Sequence, residues 1–376
     1  MLTKESRELD FPSLAGLTYL NTAAEGISPP VVQEAFSAYS RDRLSGFDGR
    51  KKHEEQRIAL KERAGKFLGL SAGEVSVCSC SSEAYNLACL ALDAVEGDEV
   101  ILNDLDYPAG FTPWSQRYCR ATVKLWRSRA GALRVEDLIP LLGPRTRLLQ
   151  TSLVSYYNGF RLPTHPVVDA VRKHSPALVA VDVTQALGRL SLDLEDVDLI
   201  ISSTHKWVMG SHGGGLVGVP ARRSAEWTVP AGGWFNLREP FAPDRFERKP
   251  EHLPGAASFT VGMPNYAAVY AVGAALRYLD SVGVAAIEAY AGALVAECLA
   301  ELRRLPVHLI TPVAEEFRSG ILAFQHPESA RLSQKLHDGG VHVMHTDGRI
   351  RVSIHGYNTA EDVDTFLRVL KAALAS

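Results

Sequence analysis

Short apolar runs alternate with amphipathic stretches of helical length through the first two-thirds of the chain. "EVSVCS", "DEVILN", "RTRLLQTSL", "ALVAVDV" and "VDLIIS" are each long enough for a strand, and most are almost continuously apolar. Strands with that pattern are covered on both faces, as in a parallel or mixed sheet lying between helices. "EAYNLACLALDAV" places Ala84, Leu87, Ala88, Ala91 and Val95 on one helical face. Beyond residue 262 the character changes. Two long helical patterns, "NYAAVYAVGAALRYLDSV" and "AAIEAYAGALVAECLAELRRL", precede two strand patterns, "ILAFQH" and "RIRVSIH". A closing helix starts at the Thr359-x-x-Asp362 capping box and carries Val363, Phe366, Leu367 and Leu370 inward. The pattern predicts an α/β protein: a large domain over 16–261 with a mainly parallel sheet between helices, and a smaller α+β domain over 262–376 that includes residues 1–15.

Composition leaves this picture intact. The 376 residues are 46% apolar and 22% charged, with a net charge of −3. Such a balance favours neither a nucleic-acid nor a membrane partner. The first residues lack a signal-peptide core, and no stretch approaches the roughly 20 apolar residues of a membrane span. The cysteines, Cys78, Cys80, Cys89, Cys119 and Cys298, form neither a disulfide framework nor a metal-ligand pattern. Reduced thiols in a cytoplasmic protein are the expectation.

In open α/β sheets ligands collect at the carboxyl ends of the strands, so the residues after each apolar run matter most. Ser81 and Ser82 follow the first run and open a helix, where backbone N–H groups suit a phosphate as well as an ordinary cap. Tyr107 follows "DEVILN" and offers either a flat aromatic plate or core packing. Asp182 ends "ALVAV", where a carboxylate needs a cation or an N–H partner, and Thr184 and Gln185 come just after it. "VDLIIS" runs into "SSTHKW", which contributes Ser203, His205 and Lys206. A lysine at the end of a core strand snorkels to the surface or does chemistry, such as forming an imine with an aldehyde. An anion cradle, an acid, an aromatic plate and a lysine on one sheet edge meet the needs of pyridoxal 5′-phosphate (PLP). No G-x-G-x-x-G follows a strand, which sets aside a nicotinamide enzyme.

Over nearly its whole length the chain resembles the class V aminotransferase group of fold-type I PLP enzymes, which includes cysteine desulfurases, isopenicillin N epimerase-like proteins and related lyases. The segments that carry the resemblance are "YLNTAAEGISPP", "SCSSEAYNLA", "DLDYPA", "VDVTQALG", "SSTHKW" and "RIRVSIHGYNT". The resemblance implies a seven-stranded-type sheet and a homodimer. It implies that Ser81, Ser82, Ser203 and His205 hold the phosphate and that Tyr107 stacks on the ring. Asp182 would face the pyridine nitrogen and Gln185 the phenolic oxygen. Lys206 would form the imine and act as base at Cα, and Arg351 would grip the carboxylate of a small amino acid.

Three departures accompany it. Met263 stands where relatives carry a Thr that reaches the partner's phosphate, and Tyr156 stands where they carry an Asn. The stretch "GGVHVMHTDGRIRV" has no cysteine where cysteine desulfurases carry their nucleophile. The expectation is therefore an aminotransferase, with a C–S (β-elimination) lyase or an epimerase as the alternative. A non-catalytic PLP binder is a weaker alternative, and a persulfide-forming desulfurase is excluded. His212, Trp234, Asn236 and His345 are further candidates on the substrate side.

Overall fold

The computed structural model describes residues 1–376. The strands are β1 (Thr18–Tyr19), β2 (Val75–Cys78), β3 (Glu99–Asn103), β4 (Thr122–Trp126), β5 (Thr146–Ser152), β6 (Leu178–Asp182), β7 (Leu199–Ser203), β8 (Gly215–Gly218), β9 (His308–Leu309), β10 (Ile321–Gln325), β11 (Val341–His342), β12 (Met344–Thr346) and β13 (Arg349–Ser353). Seven of them form one sheet in the order β2-β8-β7-β6-β5-β3-β4. Strands β3 to β7 pair in parallel, and β8 alone runs antiparallel to its neighbours β2 and β7.

Alternation explains why this sheet is buried on both faces. Ile101, Leu149, Val179, Val181, Ile200 and Leu216 enter one core, while Val100, Leu102, Leu148, Ala180, Leu199 and Val217 enter the other. Successive side chains of a strand point to opposite faces, so continuous apolar runs were needed to fill both cores. The helix Tyr266–Val282 packs against Pro30–Arg43 and Gly49–Leu68 and supplies Val269, Val272 and Leu276 to the first core. No single helix is long and apolar enough to cross a membrane. The pair Tyr266–Val282 and Val284–Leu302 passes only when joined across a 75° bend.

A second sheet, in the order β12-β13-β10-β9, is antiparallel. Its β13 turns Ile350 and Val352 into a third core with Phe324, Phe366 and Leu370. The period of two then sends Arg349, Arg351 and Ser353 to the opposite face, toward the large sheet. The N-terminal segment ties the two units together. Strand β1 pairs in parallel with β11, Ala23 N donates to Ser353 Oγ at 3.0 Å, and Gly26 N donates to the His205 carbonyl at 2.9 Å. A Cβ at Gly26 would overlap the Lys206 carbonyl oxygen, so only glycine permits this approach.

The last helix, Ala360–Ala375, has the capping box read in the sequence: the Thr359 hydroxyl accepts from Asp362 N at 3.3 Å, and Asp362 Oδ2 accepts from Thr359 N at 3.0 Å. Thr359→Ala should lower the urea midpoint by the equivalent of about 1 kcal/mol without changing the m-value. An unchanged midpoint would mean that the cap contributes nothing.

Candidate active site

The carboxyl ends of β2, β3, β5, β6 and β7 open on one edge of the large sheet, and β13 lies across from them. Between them lies a cavity of about 600 Å³. Ser81, Ser82, Tyr107, Asp182, Gln185, Ser203, His205, Lys206 and Arg351 all line it, so the cofactor residues and the carboxylate arginine implied by the resemblance reach one place. Tyr156 lines it too.

Lys206 follows β7 by three residues. Its Nζ lies 5.4 Å from the ring centroid of Tyr107. Burial pulls the ammonium's pKa down to about 8; the Asp182 charge opposes the shift and Arg351 adds to it. A lysine with a lowered pKa has a larger neutral, nucleophilic fraction at physiological pH. Three residues on, Met209 holds a left-handed conformation at φ +58°, and its N–H donates back to the Lys206 carbonyl at 3.0 Å. This turn fixes the lysine loop.

Asp182 is buried, and its oxygens are partly engaged. Oδ2 accepts from the Tyr85 hydroxyl at 2.5 Å and Oδ1 from Thr184 N at 2.6 Å. Nearby Asp106 is pushed up to about 7, by burial first and by the Asp182 charge in addition. Its oxygens accept from Ser152 N and from Asn103 Nδ2, each at 2.9 Å. Two neighbouring carboxyl groups thus have different environments, Asp182 lining the cavity and Asp106 outside its lining. Tyr85 and Asp106 were given no role by the sequence reading, and Thr184 was noted there without one. Tyr85 had a signal, since it falls one turn after Ser81 on the same helix face.

Ser203 Oγ donates to Ser81 Oγ at 2.8 Å, joining the end of β7 to the start of the helix Ser81–Leu92. The N-cap of that helix is Cys80, which makes no side-chain capping bond, so the first-turn N–H groups face the cavity edge without a protein acceptor. Unsatisfied N–H groups at a helix start are an anion site. Gly215 on β8 lets the loop come close: a Cβ there would lie 2.8 Å from Cys78 Sγ and 2.9 Å from the Cys80 carbonyl carbon. His205 stacks on His212 at 4.4 Å. Burial, then Lys206 and His212, lower its pKa to about 4, so its ring is neutral and has one N–H to donate.

Gln185 is held at both ends: Nε2 donates to the Ala23 carbonyl at 3.1 Å, and Oε1 accepts from Trp207 Nε1 at 2.6 Å. Tyr107 is half-exposed and meets the Tyr156 ring edge-on at 4.9 Å. Arg351 is buried and donates through Nη1 to the Tyr156 carbonyl at 2.9 Å. Burial brings its pKa down to about 10, which leaves it a cation. Of the further candidates, Asn236 is fully buried and donates to the Ala231 carbonyl, and His345 pairs with Ser329. Trp234 packs on Phe235 and Phe241, and His212 reaches the site only through His205. Met263 is exposed outside the cavity.

Residues 18–366 match the model of the family described as Aminotransferase class-V, and the chain belongs to that family. A probable cysteine desulfurase of Pasteurella multocida is 28% identical over 96% of this chain and 89% of its own length. The apo cysteine desulfurase of Thermococcus onnurineus NA1 superposes with a TM-score of 0.89 at 21% identity, covering 100% of this chain and 99% of its own. The cystine C–S lyase C-DES superposes with a TM-score of 0.85 at 22% identity, covering 96% and 98%. A variant of that lyase has been captured with glycine covalently linked to its PLP cofactor.

The fold is that of the fold-type I PLP enzymes, and the chain is a PLP-dependent enzyme of class V. The residues present fit the cofactor: a helix N-terminus without a side-chain cap for a phosphate, a half-exposed ring plate, a buried acid and a largely enclosed lysine. One expectation is corrected. Relatives named cysteine desulfurase overturn both the preference for an aminotransferase and the exclusion of a desulfurase. That exclusion rested on one missing side chain in the β12–β13 hairpin. The groups around Cα are the same for every branch of the reaction, so that absence could not decide which bond breaks.

Because Arg351 lowers the pKa of Lys206 and Asp182 raises it, the two can be separated. In the cofactor-free protein, Arg351→Met should move the midpoint for trinitrophenylation of Lys206 to higher pH, and Asp182→Asn should move it lower. Shifts of the opposite sign would disprove this electrostatic account.

Proposed function

We propose that this enzyme cleaves the Cβ–S bond of cysteine or a cysteine derivative. The observation that carries the reading is the buried, charge-tuned lysine facing a guanidinium across a family-matched cavity, together with relatives named for cysteine desulfuration. The cystine C–S lyase among the structural neighbours is a second enzyme named for breaking this class of bond.

The proposed roles follow from the geometry. Arg351 pairs with the substrate α-carboxylate, for which a planar two-toothed guanidinium is suited. Ser81, Ser82, Ser203, His205 and the helix N-terminus hold the phosphate. Asp182, steadied by Tyr85 and Thr184, keeps the pyridine nitrogen protonated. Tyr107 would cover the ring, and Gln185 would serve the phenolic oxygen. When bound, PLP supplies the electron sink that acidifies the Cα proton and labilises the Cβ substituent. Lys206 takes the proton from Cα as a general base and lies in the same cavity as the departing sulfur, to which it returns a proton. The sulfur leaves with the electron pair of the Cβ–S bond. A homodimer with interface active sites, as the family resemblance implies, completes the reading.

The test is to supply the holoenzyme with L-cysteine and L-cystine and to assay sulfide and persulfide sulfur together with alanine and pyruvate. Sulfur release in step with a three-carbon product is expected. Lys206→Ala should reduce it at least about a hundredfold, as loss of a general base does. Conversion to the pyridoxamine form with a keto acid and no sulfur release would establish transamination instead.

A further inference from the structure

A single guanidinium suffices for a single α-carboxylate, yet β13 presents two to the cavity. Arg349 and Arg351 both line it, both are buried to within 3% of full burial, and they point the same way because they are two residues apart on one strand. Each spends one Nη1 donor on a loop carbonyl, Arg349 on Tyr157 and Arg351 on Tyr156. Each leaves Nε buried with no partner, and Nη2 of neither makes a hydrogen bond. Neither has a carboxylate within ion-pair distance; the other buried arginine, Arg189, lacks one as well but lies outside this cavity, whereas the partly exposed Arg7, Arg161, Arg172 and Arg223 are each ion-paired. The acid that acts on Arg349 is Asp347 of the hairpin turn, through space and without an ion pair. Two neighbouring cations that lack counter-ions in a dehydrated pocket cost stability unless a ligand supplies the anions.

Arg349 is not spent on architecture alone. It lies 4.3 Å from the Tyr157 ring centroid and 5.6 Å from that of Tyr156, so its plane is fixed, while most of its donor fork stays unengaged. A guanidinium held in this way is pre-organised for an oxyanion.

We propose that Arg349 is a second anion subsite and that the substrate is a cysteine derivative whose sulfur substituent ends in an anionic group. This inference rests on the C–S cleavage reading and names its substrate class. A cystine-type disulfide, with its distal carboxylate, and an S-sulfonate share the required chemistry. For S-sulfo-L-cysteine the step balances without an oxidant or a reductant. The Cα proton passes to Lys206, the Cβ–S bond breaks with its electron pair on sulfur, and thiosulfate departs. Water then displaces nitrogen, and the products are pyruvate and ammonia. L-Cystine follows the same course and releases cysteine persulfide in place of thiosulfate.

The test compares kcat/KM, measured as substrate consumed, for L-cystine, S-sulfo-L-cysteine and L-cysteine. The wild-type holoenzyme should favour at least one dianion-bearing substrate over L-cysteine by about tenfold or more, the scale of a charge-assisted hydrogen bond. Which of the two wins distinguishes a carboxylate from a sulfonate. Arg349→Gln should bring the ratio toward one through KM, and Arg349→Lys should retain part of it. Calorimetry of the holoenzyme with succinate and with propionate reads the subsite without turnover. Succinate should bind more tightly in the wild type, and Arg349→Gln should erase the difference. If sulfur compounds are cleaved but neither ratio depends on Arg349, the subsite is overturned and the C–S cleavage reading stands. If succinate is preferred through Arg349 but no sulfur compound is cleaved, the cleavage reading falls and the second anion site stands. If wild-type calorimetry shows equal binding of the two acids, the proposal is overturned even should both variants fail to fold.

Discussion

The active-site cavity is organised around buried cations that the protein itself does not neutralise. Lys206, Arg349 and Arg351 converge on it, and none makes an ion pair within the chain, whereas many charges nearer the surface are paired. Such charges are costly to bury, and that cost is offset only when anionic ligands arrive. The binding energy of phosphate and carboxylates is therefore partly built in as relief of this unfavourable state. The lowered pKa of Lys206 is the same constraint seen in titration: burial and a neighbouring cation resist its charge, and the neutral amine needed for covalent chemistry becomes accessible.

Holding charges in place without pairing them requires a rigid frame, and the two sheets provide it. The parallel strands fill cores on both faces, so their carboxyl ends hold still, and Asp182, Ser203 and the loop before Lys206 inherit that rigidity. On the other side, Ile350 and Val352 lock β13 into the smaller core and thereby fix the direction of Arg349 and Arg351. Packing on one face of a strand and chemistry on the other are linked by the period of two. The N-terminal segment joins the halves through Ser353 and the His205 carbonyl, so the two sides of the cavity keep a set separation.

Much of this was legible in the sequence for a physical reason. A parallel strand is marked by a continuous apolar run, and its ligand-bearing residues come directly after it, so Asp182, Ser203 and Lys206 announced themselves. The Thr359–Asp362 cap was equally local. What escaped was everything that depends on contacts across the fold. Tyr85 is bonded to Asp182 over 97 positions; its spacing from Ser81 places it on the cavity side of its helix but does not name its partner. Strand β8 was hidden inside a glycine run, because Gly215 serves close approach to Cys80 and Gly218 to Leu70 and Ile200, and neither carries an apolar side chain. Arg349 was passed over beside Arg351, although a shared strand face requires the two to be considered together. The identity of the bond broken was not legible either, since it depends on how the leaving group is met and not on the groups around Cα.

That last point bears on how specificity is distributed in this enzyme. The cavity floor (Asp182, Tyr85) and the phosphate cradle (Ser81, Ser203, His205) are concerned with the cofactor and are indifferent to the substrate side chain. Residues that can distinguish substrates must lie on the opposite wall, and that wall is the β12–β13 hairpin with Met344, Thr346, Asp347 and the two arginines. The hairpin is short, has a left-handed Asp347 at its turn, and is anchored to the smaller core by one face only. Its cavity-facing side can change without disturbing either sheet. In this protein that face carries no cysteine but does carry an additional guanidinium, so the wall is built to meet negative charge beyond Cβ.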